Sequence, residues 1–197
     1  KMSLKKFRNL KINKIIKPPN KKMGAKISVD SATMMNKVFE VIEAKKIFDL
    51  NYNQISIFVH PHSYLHAIIK FKDGMINSIA HETTMEIPIN NTLGSFKNNK
   101  IKFKNIDVNK LNNLQLTKID KKKFPVVNVL NKLPLNDSLF ETVLVTVNDH
   151  LVNLLLNNKI TYLELIEKLF KIVSKKEFTK YKFIEPKKIT DILNLNK

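Results

Sequence analysis

Two hydrophobic periodicities divide this chain. The first half mixes helical and strand-like spacing, and the second half is helical throughout. From Ser31 to about Phe48, Met34, Val38, Val41, Ile42 and Lys45 share one stripe and Met35, Phe39 and Ile42 its neighbour, which predicts a helix. Asp30 or Ser31 is placed to cap its start. The apolar run Ile55–His60 predicts a buried strand, and Ala67–Phe71 and Met75–Ala80, joined through Lys72-Asp73-Gly74, predict a β-hairpin with an Asp-Gly turn. Ile87-Pro88-Ile89 opens a further short element. Residues 1–25 read as loop, because Lys17-Pro18-Pro19-Asn20 cannot continue a helix and Gly24 permits a turn. Residues 92–123 are Asn- and Lys-rich and read as a linker. Beyond Phe124, helical spacing recurs over 125–132, 139–157, 161–173 and 187–194. Thr161 can cap the third of these, and Pro186 stands just before the fourth. The predicted class is α+β: a mixed α/β domain with a small sheet over 26–91, then a helical bundle domain over 124–197. The sequence contains no internal repeat.

Composition narrows the function classes. Of 197 residues, 43% are hydrophobic and 26% charged, enough apolar surface for a packed core. The absence of cysteine excludes disulfides, thiolate metal sites and a cysteine nucleophile. No apolar run approaches the ~20 residues needed to span a bilayer. The N-terminal KMSLKKFRNLK lacks the apolar centre of a secretory signal, and it begins with Lys rather than Met, so the true start is expected upstream. The net charge of +18 comes from 35 basic and 17 acidic residues, but Arg8 is the single arginine. Nucleic-acid readers rely on arginine to grip phosphates and bases in a fork. Lysines dispersed among Asn and Ile instead predict a solvated exterior, with no nucleic-acid or membrane partner.

The stretch that carries chemistry is Met23-Gly24-Ala25-Lys26-Ile27-Ser28-Val29-Asp30-Ser31-Ala32-Thr33-Met34-Met35-Asn36-Lys37-Val38-Phe39-Glu40. If Ser31 opens the helix, it sits where unpaired N–H groups and the helix dipole favour an anion. Asn36 lies four residues and Lys37 three residues before Glu40, so the three share one helical face. An amide, an ammonium and a carboxylate beside a hydroxyl can bind a phosphorylated, metal-chelating substrate. Lys37 and Asn36 would hold the phosphate, and Glu40 could ligate magnesium or manganese. On spacing alone the plainer reading competes, with Lys37 and Glu40 as a surface ion pair and Ser31 as a cap.

The segment resembles the catalytic-domain motif of the 1-deoxy-D-xylulose 5-phosphate reductoisomerases, M-G-x-K-I-[ST]-[IV]-D-S-A-T-[LM]-M-N-K-G-x-E-x-I-E-A, and the match runs on through Val41-Ile42-Glu43-Ala44. His60-Pro61-His62-Ser63-Tyr64-Leu65-His66 is similar to the family's H-P-Q-S-x-x-H, and Asp73-Gly74 falls in its following hairpin. Met85 and Pro88 fall where its D-M-x-x-P-I segment would be, with Thr84 replacing the aspartate. Phe124-Pro125 and Asn148-Asp149 are similar to its F-P and N-E pairs.

The resemblance implies an enzyme that converts 1-deoxy-D-xylulose 5-phosphate to 2-C-methyl-D-erythritol 4-phosphate, the committed step of non-mevalonate isoprenoid biosynthesis. It implies NADPH and a divalent metal, Mg or Mn, as cofactors, a homodimer in the full-length enzyme, and a bacterial cytoplasm. Matched residue by residue, Ser31, Asn36, Lys37 and Glu40 would bind substrate, with Glu40 also a metal ligand. Gly24 would lie near the nicotinamide, and His66, Met23 and Met85 would neighbour the active site. His60 and His62 read as structural, and Met34 and Met35 as core packing. Residues 1–25 become a flap and the lead-in from an N-terminal domain, and 26–91 the catalytic domain.

The sequence also departs from that pattern. The family's glycine-rich NADPH domain, its S-D-S-E metal segment and its S-G-G-P-F segment would all lie upstream of Lys1. This chain by itself is therefore expected to be inactive. In the flap, where the family reads H-P-x-W, Pro18 replaces a histidine and Lys21 a tryptophan, and neither supplies the same hydrogen bond or flat lid. Val38 replaces a glycine. Two alternatives follow: a non-catalytic phosphate-binding or interaction relative, which the flap changes favour, and a basic nucleic-acid-binding domain, which would bind with steep salt dependence.

Overall fold

A computed structural model describes residues 24–94 and 105–196. In chain order the elements are helices α1 (Ala25–Thr33) and α2 (Met35–Phe48), a 3-10 turn (Tyr52–Gln54), strands β1 (Phe58–Val59), β2 (Leu65–Lys70) and β3 (Ile76–Ala80), and helices α3 (Glu86–Leu93) and α4 (Val108–Asn112). Strand β4 (Thr117–Lys118) follows, then a 3-10 helix (Pro125–Lys132), helices α5 (Phe140–Leu156), α6 (Tyr162–Val173) and α7 (Lys176–Thr179), a 3-10 turn (Lys180–Phe183) and helix α8 (Ile189–Leu195). The fold is α+β, with its described strands confined to two small antiparallel pairs, β1–β4 and β2–β3.

The described residues form two compact units, 24–56 with 120–196, and those within 57–119. This grouping cuts across the expected segments, because α1 and α2 pack with the C-terminal helices. Val29, Met35, Val38 and Ile42 join Val126, Val129, Phe140, Leu144, Leu151, Leu165 and Leu169 in one hydrophobic cluster. On α5 the buried Phe140, Val143, Leu144, Leu151, Val152 and Leu155 repeat at three- and four-residue intervals, the spacing that turns one helical stripe inward. Helix α6 repeats this with Tyr162, Leu165, Ile166, Leu169 and Val173. Thr161 caps it as expected. Its hydroxyl accepts the Glu164 amide at 3.2 Å, and Glu164 returns a carboxylate oxygen to the Thr161 amide at 2.7 Å.

The hairpin forms as expected, with Ile68 opposite Ser78 and Lys70 opposite Ile76. Its turn needs glycine, since Gly74 has φ 92°.

Several expectations are corrected. The helix expected from Ser31 is two helices, and the first starts at Ala25. Asp30 and Ser31, which read as caps, lie inside α1. Polar residues weaken an isolated helix by competing for its backbone, but here they find partners: Ser28 Oγ donates to the Gly24 carbonyl at 3.0 Å, Thr33 Oγ1 to the Asp30 carbonyl at 3.2 Å, and the Asp30 carboxylate pairs elsewhere in the fold. The break falls at Met34, in the left-handed region at φ 67°. The strand expected over 55–60 shrinks to Phe58–Val59, where β4 supplies its partner. The expected linker 92–123 contains α4 and β4, and Asp107 caps α4 by accepting the Lys110 amide at 3.1 Å. Helix α7 and the turn after it lie where no element was expected. Residues 1–23 lie outside the described residues.

Candidate functional site

The left-handed step at Met34 sets the geometry of the site. It ends α1, whose Ser31 carbonyl accepts the Met34 amide at 3.3 Å, and it starts α2, whose Lys37 and Val38 amides donate to the Met34 carbonyl. Ser31 is therefore in the last turn of α1, not at a helix N-terminus. The positive end of a helix dipole lies nearby all the same. It belongs to α2, whose first turn carries Asn36 and Lys37. Ser31 is exposed, and only the short Ala32–Met35 span separates it from Asn36.

On α2, Asn36 Nδ2 donates to Glu40 Oε1 at 2.7 Å, and Lys37 Nζ reaches Glu40 Oε1 and Oε2 at 2.8 and 2.7 Å. The side chains of Lys37 and Glu40 are 43% and 47% exposed, so the cluster faces solvent. An exposed pair of this kind holds by about 0–1 kcal/mol, little enough for an incoming anion to open. Val38 points the other way, into the hydrophobic cluster, so replacing the glycine of the resembled motif adds methyls to the core and none to the site face. Met35 is likewise core.

Between α1 and α5 lies a polar array that sequence reasoning missed. Asp30 is 4% exposed and Asn148, on α5, is 0% exposed. Asn148 Nδ2 donates to Asp30 Oδ1 at 2.9 Å across 118 residues of chain. Lys26 reaches Asp30 Oδ2 at 3.2 Å and Asp149 Oδ1 at 2.9 Å. Partial burial lowers the Lys26 ammonium, but the hydrogen bond it donates to Asp149 and the Asp30 charge outweigh this and raise the group above its ordinary value. From α6, Tyr162 donates its hydroxyl to the Ala32 carbonyl at 3.1 Å. Burial pushes this phenol well up, so the donor stays protonated. Asn148-Asp149 was legible as a motif; what joins it to α1 was not.

The remaining expected site residues divide. Gly24 is the N-cap of α1 in extended conformation, and a Cβ there would meet nothing within 4 Å. His66 and Met85 lie in the unit of residues 57–119. His66 Nε2 sits 3.1 Å from the His81 carbonyl oxygen, and the two imidazoles stack at 3.6 Å. Met85 precedes α3 and is exposed. In the same unit His60 Nδ1 lies 3.2 Å from the Gln115 carbonyl oxygen, and His62 lines an open hollow of about 290 Å³ with Asp107, Asn109, Lys110, Asn113 and Gln115. Met23, Pro18 and Lys21 lie outside the described residues.

Neither implied cofactor fits the described residues alone. Glu40 is a single carboxylate whose oxygens are already engaged, and no group of three or more His, Asp or Glu converges as a metal site among the described residues. One open glycine is not a dinucleotide cradle.

Comparison with known proteins decides the family. Residues 1–48 match a family model described as the 1-deoxy-D-xylulose 5-phosphate reductoisomerase C-terminal domain, and residues 81–197 match a second, described as the DXP reductoisomerase C-terminal domain. The chain belongs to the 1-deoxy-D-xylulose 5-phosphate reductoisomerase family. It is 54% identical over 195 residues to the reductoisomerase of Pelagibacter ubique (strain HTCC1062), covering 99% of this chain and 50% of that protein. It is 38% identical over 168 residues to that of Wolbachia pipientis wMel, covering 84% and 43%. Among solved structures, the reductoisomerase of Zymomonas mobilis in complex with NADPH matches with a TM-score of 0.80 at 26% identity, over 98% of this chain and 48% of that one. A reductoisomerase in complex with NADPH, fosmidomycin and magnesium matches with a TM-score of 0.87 at 27% identity, over 99% and 49%. The chain thus spans about half the length of the reductoisomerases it matches. Among the described residues, no helix is long and apolar enough to cross a membrane.

Proposed function

We propose that this chain forms the catalytic and C-terminal parts of an enzyme that converts 1-deoxy-D-xylulose 5-phosphate to 2-C-methyl-D-erythritol 4-phosphate with NADPH and a divalent metal, in the cytoplasm of a bacterium and as a homodimer. One observation carries the reading: in a chain of this family, an amide, an ammonium and a carboxylate cluster on the exposed first turns of α2, one short step from Ser31. Lys37, Asn36 and the Ser31 hydroxyl bind the substrate phosphate, assisted by the α2 dipole. The phosphate takes Lys37 from Glu40, and Glu40 turns to the substrate side. Glu40 is offered as one ligand of a metal site whose other ligands are supplied outside the described residues. The relatives solved with fosmidomycin and magnesium support a phosphate-like ligand beside a divalent cation.

The test is steady-state kinetics of the complete enzyme. Lys37→Ala is expected to cost about 10- to 100-fold in kcat/KM, the size of a lost charged hydrogen bond. An unchanged value overturns the assignment of the phosphate site. Coding sequence upstream of Lys1 is expected to continue through a glycine-rich βαβ unit and an acidic S-D-S-E segment. A stop codon directly upstream would refute the reading of a longer enzyme.

A further inference from the structure

We infer that the C-terminal helices position the phosphate site: Asn148 on α5 and Tyr162 on α6 hold the two residues that flank Ser31, and so fix its hydroxyl relative to Asn36 and Lys37. The inference rests on the reading of Ser31, Asn36 and Lys37 as phosphate ligands.

A helix ends with carbonyls that have no partner within it. In α1 three of these have identified donors. The Asp30 carbonyl accepts Thr33 Oγ1, the Ser31 carbonyl accepts the Met34 amide, and the Ala32 carbonyl accepts the Tyr162 hydroxyl. The first two bonds are local and belong to the turn itself. The third comes from 130 residues away, and so does not form unless α6 is docked. One residue before Ser31, the Asp30 carboxylate is gripped by Asn148 from α5 at 2.9 Å and by Lys26 at 3.2 Å. Ser31, itself exposed, is thus held by both neighbours while its own side chain remains available to a ligand.

Such a grip is needed because the step at Met34 is intrinsically unfavourable. A methionine at φ 67° lies in the left-handed region, where the side chain of an L-residue crowds its own backbone. Without external ties, the Ala32–Met35 span would sample other conformations, and Ser31 would move relative to Lys37. The bond from Tyr162 has an electrostatic role as well. Carbonyls at the end of α1 present negative charge close to where an anion would bind. A hydroxyl donating to the Ala32 carbonyl engages one of them and lowers the local repulsion.

The test is a double-mutant cycle on Ser31 and Tyr162 in the complete enzyme, reading KM for 1-deoxy-D-xylulose 5-phosphate, kcat and the unfolding midpoint. Tyr162→Phe keeps the ring that fills the core and removes one hydroxyl. It is expected to raise KM about three- to tenfold with kcat within about twofold, and in a Ser31→Ala background to change KM by less than about twofold. Asn148→Ala is the second variant, and it is expected to raise KM in the same Ser31-dependent way. The positioning role is overturned if Tyr162→Phe lowers the midpoint and leaves KM unchanged, or if its effect on KM is the same with and without Ser31. If Ser31→Ala itself leaves KM unchanged, the assignment of Ser31 as a phosphate ligand fails, and the positioning role with it.

Discussion

Asp30 divides its two carboxylate oxygens between an amide on another helix and an ammonium on its own. That arrangement requires a donor at position 148. Asn148→Asp keeps the shape and replaces the donor with a second carboxylate about 3 Å away. Two carboxylates so placed cannot both ionise, and one retains a proton well above its ordinary range. The folded state then binds more protons than the unfolded state, so stability falls as pH rises through that raised value. Asn148→Asp is expected to cost about 3 kcal/mol near neutral pH and to recover part of this at about pH 4–5, measured as denaturation midpoints across pH. A pH-independent loss would contradict the account of the pair. Val38 gives the complementary case, a buried side chain with no polar task. Restoring the glycine of the family motif with Val38→Gly removes buried methyls and adds backbone freedom within α2. The expected cost is about 2–3 kcal/mol with KM unchanged, because the position faces the core.

At the scale of elements, α2 is tethered at both ends. Its start is the left-handed step, and its last turn holds Lys45 and Lys46, whose ammonium groups lie 3.1 and 2.9 Å from Asp137 Oδ1 just ahead of α5. The hydrogen bond from Lys46, against the cost of partial burial and helped by Lys45, holds Asp137 below the usual carboxylate range. A depressed value contributes stability at pH above the unfolded value of about 4 and loses it as pH falls through the folded value. Asp137 is half exposed, so the contribution is a few tenths of a kcal/mol. Asp137→Asn is expected to remove it near neutral pH and to flatten the corresponding part of the acid unfolding profile. This scale also shows what the sequence could tell. Helices α5 and α6 and the β2–β3 hairpin were legible because their signals are local: inward-facing repeats, the Thr161–Glu164 box, and Asp73-Gly74. Asn36, Lys37 and Glu40 were legible as a face because spacing alone unites them. The break at Met34 was not, since no Gly or Pro marks it and its supports, Asn148 and Tyr162, are more than a hundred residues away. The same blindness put Ser31 at the start of a helix when it stands near the end of one. A Ser or Asp reads as a cap until the tertiary partner that holds it inside a helix is known.

Across the whole molecule the two units differ in what holds them. Residues 24–56 and 120–196 contain the extensive hydrophobic cluster. In the other unit Tyr64 is the single buried apolar side chain among the described residues, and the hairpin leaves Ile68, Ile69, Phe71, Ile76 and Ile79 exposed, Ile76 at 62%. Local opening follows burial, so segments with few buried contacts exchange their amides at lower free energy than a packed core does. Amides of β2 and β3 in the dilute monomer are therefore expected to exchange well before those of Leu144, Leu151 and Leu165, in a native-state hydrogen-exchange experiment. Equal protection at low concentration would contradict this. A concentration series adds a second reading. The proposed homodimer would have to bury apolar surface, and the exposed aliphatics of this hairpin are among those a partner could cover. If they are covered, protection of β2 and β3 climbs with protein concentration while that of α5 and α6 stays constant. If it does not climb, a homodimer of this chain forms through some other face, or not at all.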